Sequence, residues 1–326
     1  VIFELTYRCN LLCRHCYIVD NIRQELSSEK VKGILDQLVE MGTFSLCFTG
    51  GEIFTRADCL DILAYAKRKG FILVLLTNGT LINQKTADIL KDIKPKAMEI
   101  SLLGACAETH DAITGIPGSF EKAVAAIRLL VTRGIKVVTK TSLMQCNIKE
   151  YNQIKALSKS LGAVSKAGAG ILPQKNGGKG PQQLSIAWED RQRYLPDVIL
   201  DESFIADIDE TPRGTLICKA GKMFASITPY GDVSPSILLP ISLGNLNEKS
   251  FKDIWHDKDN DTLNELRNLD EAHLDKCNVC ELSSLCHRCA GAAYMETKSL
   301  RGPSSLACEE ARWKKYLLSQ KQPAST

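Results

Sequence analysis

What most constrains this chain is an alternation of two periods that runs from residue 1 to about residue 172. Short β-branched or aliphatic runs lie at 1–6, 44–49, 71–77, 97–103, 135–143 and 163–172. Between most of them are longer stretches whose apolar residues recur at intervals of three and four, the spacing of an amphipathic helix. One helix is predicted in SSEKVKGILDQLVEMG, opened by Ser27 or Ser28 as N-cap. Another is predicted in GSFEKAVAAIRLLVTRG, opened by Ser119 with Glu121 in its first turn. Gly42, Gly70, Gly134 and Gly162 stand where four of the helices end, because glycine enters the left-handed conformation without a Cβ penalty. Repeated strand–helix units imply parallel strands with right-handed crossovers. Six such units make either an open doubly wound sheet or a partial barrel, and periodicity does not separate the two.

After Leu172 the pattern breaks. PQKNGGKGPQQ reads as a loop, followed by a helix from about Trp188 to Leu200 and an acidic, irregular stretch to Arg213. Beyond it come a hairpin in KMFASITPYGDVSPSILL, turning at Tyr230, Gly231 and Asp232, a helix near 250–256, and a cysteine-rich tail. The expected organisation is a core at 1–185, a linker at 186–214 and a second domain at 215–326.

The 326 residues carry a net charge of +3, too small and dispersed to imply nucleic acid. No apolar run approaches the roughly 18–20 residues of a membrane span, and no signal peptide is visible. Thirteen cysteines, an odd number without a secretory signal, argue against a disulfide framework and for a reducing, cytoplasmic setting. Cys47, Cys59, Cys106 and Cys146 sit singly in apolar or helical surroundings and are expected to be buried free thiols. Apart from Cys218, the rest are clustered. Cys9, Cys13 and Cys16 crowd the beginning, and Cys277, Cys280, Cys286, Cys289 and Cys308 the end. Clustered thiols in a reducing compartment point to metal.

The chemistry follows the strands. After the first comes the cysteine loop, after the second TGGE (residues 49–52), after the third TNGT (residues 77–80), and the fourth carries Ser101 and Gly104. In a parallel α/β architecture these strand ends share one face, where ligands bind. Three cysteines at C-x3-C-x2-C can hold zinc if a fourth ligand arrives; His15 is available but lies between two of them. A [4Fe–4S] cluster held by three thiolates instead keeps one iron open to a small molecule.

The loop from Cys9 to Cys16, with Tyr17 behind it and GGE after the next strand, resembles the radical S-adenosylmethionine (SAM) superfamily. The resemblance implies a partial (β/α)6 TIM-like barrel in which Cys9, Cys13 and Cys16 hold the cluster. It implies that Gly50, Gly51 and Glu52 receive the amino group of SAM, and that Asn78 and Ser101 lie by its ribose or methionyl portion. Lys140 is placed to meet the carboxylate. The chemistry implied is reductive cleavage of SAM to a 5′-deoxyadenosyl radical, which abstracts hydrogen from an unactivated carbon.

Taken alone, the C-terminal cysteines favour a zinc ribbon. Behind such a core they resemble the SPASM extension, which carries auxiliary iron–sulfur clusters. The resemblance implies one four-thiolate cluster on Cys277, Cys280, Cys286 and Cys308, and places Cys218 and Cys289 in a second. GNLNEKSFKDIW also looks like this extension. The chain departs from the pattern at Ser236, where relatives usually have cysteine, and at Pro212, near which a further ligand is sometimes found. The Cys286–Cys289 spacing is one residue shorter than in many members. Asp232 and Ser236 are the remaining candidates to complete the second cluster, and serine is a poor iron–sulfur ligand.

SPASM proteins mostly modify peptides or protein side chains, so the expectation is a peptide maturase of ribosomally made peptides, forming a crosslink such as a thioether. Its partners would be a precursor peptide and an electron donor such as flavodoxin or ferredoxin; the leader-binding domain that many such maturases carry is not seen before Val1, so it lies outside this sequence, is supplied by a separate leader-binding protein, or is not needed for this substrate. The alternatives are tetrapyrrole side-chain modification and sulfatase maturation. The latter reading loses its usual carboxylate, because Ile237 follows Ser236. His110 and Asp111 are expected to organise the following loop.

Overall fold

The computed structural model describes residues 1–19, 23–194 and 218–321. The alternating region forms β1 (Ile2–Thr6), β2 (Ser45–Gly50), β3 (Ile72–Thr77), β4 (Ala97–Ser101), β5 (Val137–Ser142) and β6 (Val164–Gly168). Between them run α1 (Ser28–Glu40), α2 (Cys59–Arg68), α3 (Gln84–Ile93), α4 (Ala107–Thr114), α5 (Ser119–Val131) and α6 (Tyr151–Ser160). The six strands are parallel and lie in the unbroken order β6-β5-β4-β3-β2-β1. A doubly wound sheet reverses its order and carries helices on both faces. Unbroken order with right-handed crossovers puts the helices on one face, so the sheet is the partial barrel.

Register then sorts the side chains. Phe3, Leu5, Phe48, Leu73, Leu75 and Ile100 of the strands and Ile34, Leu35, Leu63, Leu90 and Ile127 of the helices are all at 0% exposure. Burial of each contributes about 1.5–3 kcal/mol. Thr139 Oγ1 bonds Ser158 Oγ of α6 at 2.8 Å on this covered face. Alternation therefore aims Glu4, Thr49, Glu99, Ser101, Lys140 and Lys166 at the opposite, helix-free face.

Helix ends follow local chemistry. Ser27 caps α1 by accepting from the Lys30 N–H at 3.2 Å, and Gly42, Gly70, Gly134 and Gly162 have φ of +74°, +92°, +74° and +75°. The cap expected at Ser119 is displaced. Gly118 is the N-cap and has no side chain to offer. Asp111 supplies the oxygens instead, accepting from the N–H groups of Gly118 at 2.6 Å and Phe120 at 2.9 Å. The Ser119 hydroxyl itself donates to Asp111 at 2.7 Å.

The expected hairpin appears as β7 (Ser226–Ile227) and β8 (Asp232–Ser234), joined by β9 (Gly244–Asn245) antiparallel to β8. β7 lies parallel to β1, with Ile2 opposite Ser226 and Phe3 opposite Ile227. Among the described residues the sheet thus has nine strands. A helix at Phe251–Trp255 is capped by Ser250, which accepts from the Asp253 N–H at 3.1 Å.

Two compact units result. The first is Val1–Ile186 with Ala225–Val233 and Ser242–His256; the second takes the remaining described residues. The core of the second is Leu239, Leu266, Leu269, Leu274, Ala290 and Leu300. In it α7 (Trp188–Tyr194) sets Trp188 edge-on to Trp313, ring centroids 5.5 Å apart. The end of that expected helix and the acidic stretch to Arg213 lie outside the described residues. Of the four isolated thiols Cys59 is buried and Cys47 half-buried, but Cys106 and Cys146 are exposed, contrary to expectation. Both sit in turns leading into helices rather than on a core face. Among the described residues no helix is long and apolar enough to cross a membrane.

Candidate functional site

The cysteine loop leaves β1 at Thr6 and is fixed at both its entry and its middle. Glu25 accepts from the Thr6 hydroxyl at 2.6 Å and from the Tyr7 N–H at 3.1 Å. The N–H groups of Leu12 and Arg14 donate to the carbonyls of Thr114 and Ile113, at 2.8 and 3.0 Å, docking the loop on the end of α4. Within the loop, Cys9 Sγ accepts from the Leu11 N–H at 3.4 Å and the Cys16 N–H donates to the Cys13 carbonyl at 3.1 Å.

The three thiols face one another closely enough to repel. Burial pushes the Cys13 thiol up to about 12, with the Cys16 and Cys9 charges adding to it. Burial raises Cys9 and Cys16 as well. A set of thiolates there therefore requires a cationic centre among them. His15 Nδ1 is buried in the same loop and has no hydrogen-bond partner among the described residues, and burial lowers the imidazole's basicity. Among the described residues no three His, Cys, Asp or Glu side chains close around a single ion. A cluster binds each thiolate through a different iron, so its ligands stand farther apart. The donor set fits such a group.

TGGE and TNGT are joined to this loop by hydrogen bonds. The N–H groups of Gly51 and Glu52 donate to the carbonyls of Thr6 and Arg8, at 2.8 and 2.9 Å. The approach leaves no room for a side chain. A Cβ on Gly50 (φ +141°) would stand 2.1 Å from the Thr6 carbonyl oxygen, and one on Gly51 would stand 2.3 Å from that of Arg8. Glu52 is wholly buried. Its carboxylate accepts from the N–H groups of Phe54 at 3.1 Å and Asn78 at 2.7 Å, and from the Thr77 hydroxyl at 2.8 Å. Burial pushes this carboxyl up and the hydrogen bonds pull the other way. Asn78 Nδ2 donates to Asn10 at 2.9 Å and lies 3.9 Å from Cys9 Sγ. Asn10 in turn donates to the Thr80 hydroxyl at 2.8 Å. Three strand ends thus form one hydrogen-bonded unit around the thiols.

Ser101 and Lys140 are register partners on the helix-free face. Lys140 is half exposed and lies 3.5 Å from Glu99. Tyr17 is linked behind the loop, its carbonyl accepting from the Lys175 N–H at 2.9 Å. His110 is not a free acid or base: its Nδ1 accepts from the Leu103 N–H at 3.1 Å, and burial lowers its pKa to about 4. Sequence reasoning missed Asn10, Glu25 and Lys175, whose partners are remote along the chain.

In the second unit, Cys277, Cys280, Cys286 and Cys308 converge. Burial pushes Cys286 up to about 11, and the neighbouring charges of Cys308, Cys277 and Cys280 add to it. Cys218 packs with Cys277 against the apolar cluster of that unit. Cys289 is the N-cap of the helix Ala290–Thr297, its Sγ accepting from the Ala292 N–H at 3.4 Å. Ser236 Oγ accepts from the Leu238 N–H at 3.4 Å. Asp232, in the first unit, is committed to Arg23 at 2.6 Å and Asn245 at 2.8 Å.

Comparison with known proteins places this geometry. Residues 3–151 match the radical SAM superfamily and residues 218–290 match SPASM, an iron–sulfur cluster-binding domain. The chain is 29% identical over 328 residues to the AdoMet-dependent heme synthase of Methanosarcina barkeri, an alignment covering 91% of this chain and 92% of that one. It is 30% identical over 332 residues to the mycofactocin maturase MftC of Mycolicibacterium smegmatis, covering 92% and 80%. Among solved structures, Streptococcus suis SuiB bound to precursor peptide SuiA superposes with a TM-score of 0.73 at 17% identity, covering 94% of this chain and 75% of that one. The chain belongs to the radical SAM superfamily and carries a SPASM domain, so it is an enzyme of [4Fe–4S] and S-adenosylmethionine chemistry with auxiliary iron–sulfur binding.

Proposed function

We propose that this enzyme abstracts a hydrogen atom from a peptide substrate, with Cys9, Cys13 and Cys16 holding the SAM-binding cluster, and that the outcome is a crosslink such as a thioether. The observation that carries the site is the hydrogen-bonded unit that joins the cysteine loop to TGGE and TNGT. When bound, the cluster supplies the electron that cleaves the C5′–S bond of SAM and releases the 5′-deoxyadenosyl radical.

The chain's own residues do the holding. The backbone at Gly50, Gly51 and Glu52, tied to Thr6 and Arg8 through the Gly51 and Glu52 N–H groups, receives the amino group of SAM. Asn78 lies beside Cys9, and Ser101 and Lys140 stand in one row to meet the ribose and the carboxylate. Tyr17 backs the loop. Cys277, Cys280, Cys286 and Cys308 hold an auxiliary cluster, with Cys218 and Cys289 as thiols for a second. A flavodoxin or ferredoxin serves as reductant. The peptide reading is supported by the likeness to a structure bound to a precursor peptide. It is also supported by β6, an edge of the sheet whose Val164, Lys166 and Gly168 are exposed and able to pair with an extended chain.

A second reading is modification of a tetrapyrrole side chain. It is favoured by the end-to-end alignment with a heme synthase and by Lys140 and Lys166, adjacent like charges across β5 and β6 that suit a carboxylate. The test is anaerobic turnover of the reconstituted enzyme with SAM, a reductant and either a cysteine-bearing precursor peptide or an iron tetrapyrrole with propionate groups. Loss of hydrogen from the peptide, matched by 5′-deoxyadenosine, supports the first reading. Release of carbon dioxide from the tetrapyrrole supports the second. If Cys9→Ala, Cys13→Ala and Cys16→Ala variants still cleave SAM, the site assignment fails.

A further inference from the structure

The cysteine loop has two stems, and one lysine from far along the chain touches both. Glu4 and Tyr7 belong to the entering stem and Tyr17 to the leaving one. Lys175 Nζ lies 2.7 Å from both carboxylate oxygens of Glu4 and donates to the Tyr7 hydroxyl at 2.8 Å. The same hydroxyl donates to Glu4 at 3.0 Å. The ammonium stands 4.9 Å from the Tyr7 ring centroid and 5.6 Å from that of Tyr17. The Lys175 N–H closes the set on the Tyr17 carbonyl at 2.9 Å.

Nothing about this contact is incidental to an exposed loop. Glu4 is wholly buried on the helix-free face of β1, and among the described residues Lys175 is its one ionic partner. Burial pushes the Glu4 carboxyl up, and the lysine's charge and hydrogen bond oppose it. The turn that presents Lys175 is built beforehand. Gln174 and Gly177 N–H groups donate to the carbonyls of Gly178 and Gln174, both at 2.8 Å, and Gly177 takes φ +91°. The strand order separates β6 from β1 by four strands, so this turn carries the chain from one side of the six-stranded sheet back to the other.

We infer that Lys175 is a positioning residue for the metal-binding loop, a clip that holds the stems before Cys9 and after Cys16 at a fixed separation. The inference rests on the reading that these cysteines hold the SAM-binding cluster. A fixed base matters because three thiolates must meet three corners of a rigid group, and supporting shells of this kind set metal retention.

The test compares Lys175→Met with the double variant Glu4→Gln/Lys175→Met in the full reconstituted chain. The single variant strands a buried carboxylate and is expected to melt earlier. The double variant leaves a neutral pair, so its melting temperature is expected to recover. The expected result is that, in both, backbone hydrogen exchange over residues 7–19 quickens and the N-terminal cluster loses iron to a chelator about tenfold faster. Iron on the C-terminal cysteines is expected to stay. If loop exchange and iron retention recover together with melting in the double variant, Lys175 merely neutralises Glu4 and the inference is overturned. Unchanged exchange in both variants also overturns it. Should the single variant fail to fold, the double variant decides alone. Failure of the cluster assignment is seen separately, as iron content unaltered by Cys9→Ala, Cys13→Ala and Cys16→Ala.

Discussion

Gly51 shows how little freedom single positions have beside the cysteines. Its backbone angle is ordinary, and what forbids a side chain is the Arg8 carbonyl oxygen 2.3 Å from where a Cβ would stand. Gly51→Ala is expected to push the loop off the turn, at a cost of about 1–3 kcal/mol, and to lower N-terminal iron content; calorimetry and iron quantification read the two effects. His110 makes a pH prediction. It accepts a hydrogen bond as neutral imidazole, and its folded pKa of about 4 lies below the ordinary 6.5. The stabilisation is therefore whole above 6.5 and is lost as pH falls toward 4, amounting to about 3 kcal/mol. Denaturant unfolding across that window is expected to show His110→Gln losing less stability than the parent chain; equal slopes would contradict it.

At the scale of elements, the join between α4 and α5 does more than turn the chain. Asp111 on α4 caps α5, and the carbonyls at the end of α4 receive the cysteine loop. Asp111→Ala is expected to cost about 1–2 kcal/mol, with Asp111→Asn recovering part of it. Loop exchange over residues 7–19 should quicken in the alanine variant. The same elements show what was legible in the sequence. Periods of two and of three to four marked the six core strands and most of the helices between them, and the terminal glycines announced their left-handed angles, because both signals are local. Ser119 misled, since the oxygen that caps its helix comes from a residue eight positions earlier. The convergence of Cys9, Gly51, Glu52 and Asn78 was legible from topology, as strand ends of a parallel sheet share a face. Asn10, Glu25 and Lys175 were not, because side-chain pairing between distant segments leaves no period to read.

For the whole molecule, the two cysteine groups belong to different compact units. Cys277→Ala is expected to remove about four irons per chain while leaving SAM-dependent spectral change at the N-terminal cluster; loss of both together would mean that the two sites are not independent. The short strands after residue 225 were half visible. Their turn was marked by Gly231, but a two-residue strand has no periodicity, so its parallel pairing with β1 could not be foreseen.

That pairing has a consequence for biosynthesis. The Ile2 N–H donates to the Ala225 carbonyl at 3.0 Å, so β1 has a neighbour on each side only once the segment carrying Ala225 has been made. At translation speeds of about 5–20 residues per second, the strand that carries the cysteine loop waits with one flank open while the residues up to Ala225 are made. Iron delivery that came early would meet an unfinished scaffold. The scaffold of the cysteine loop is closed by residues more than two hundred positions downstream of it.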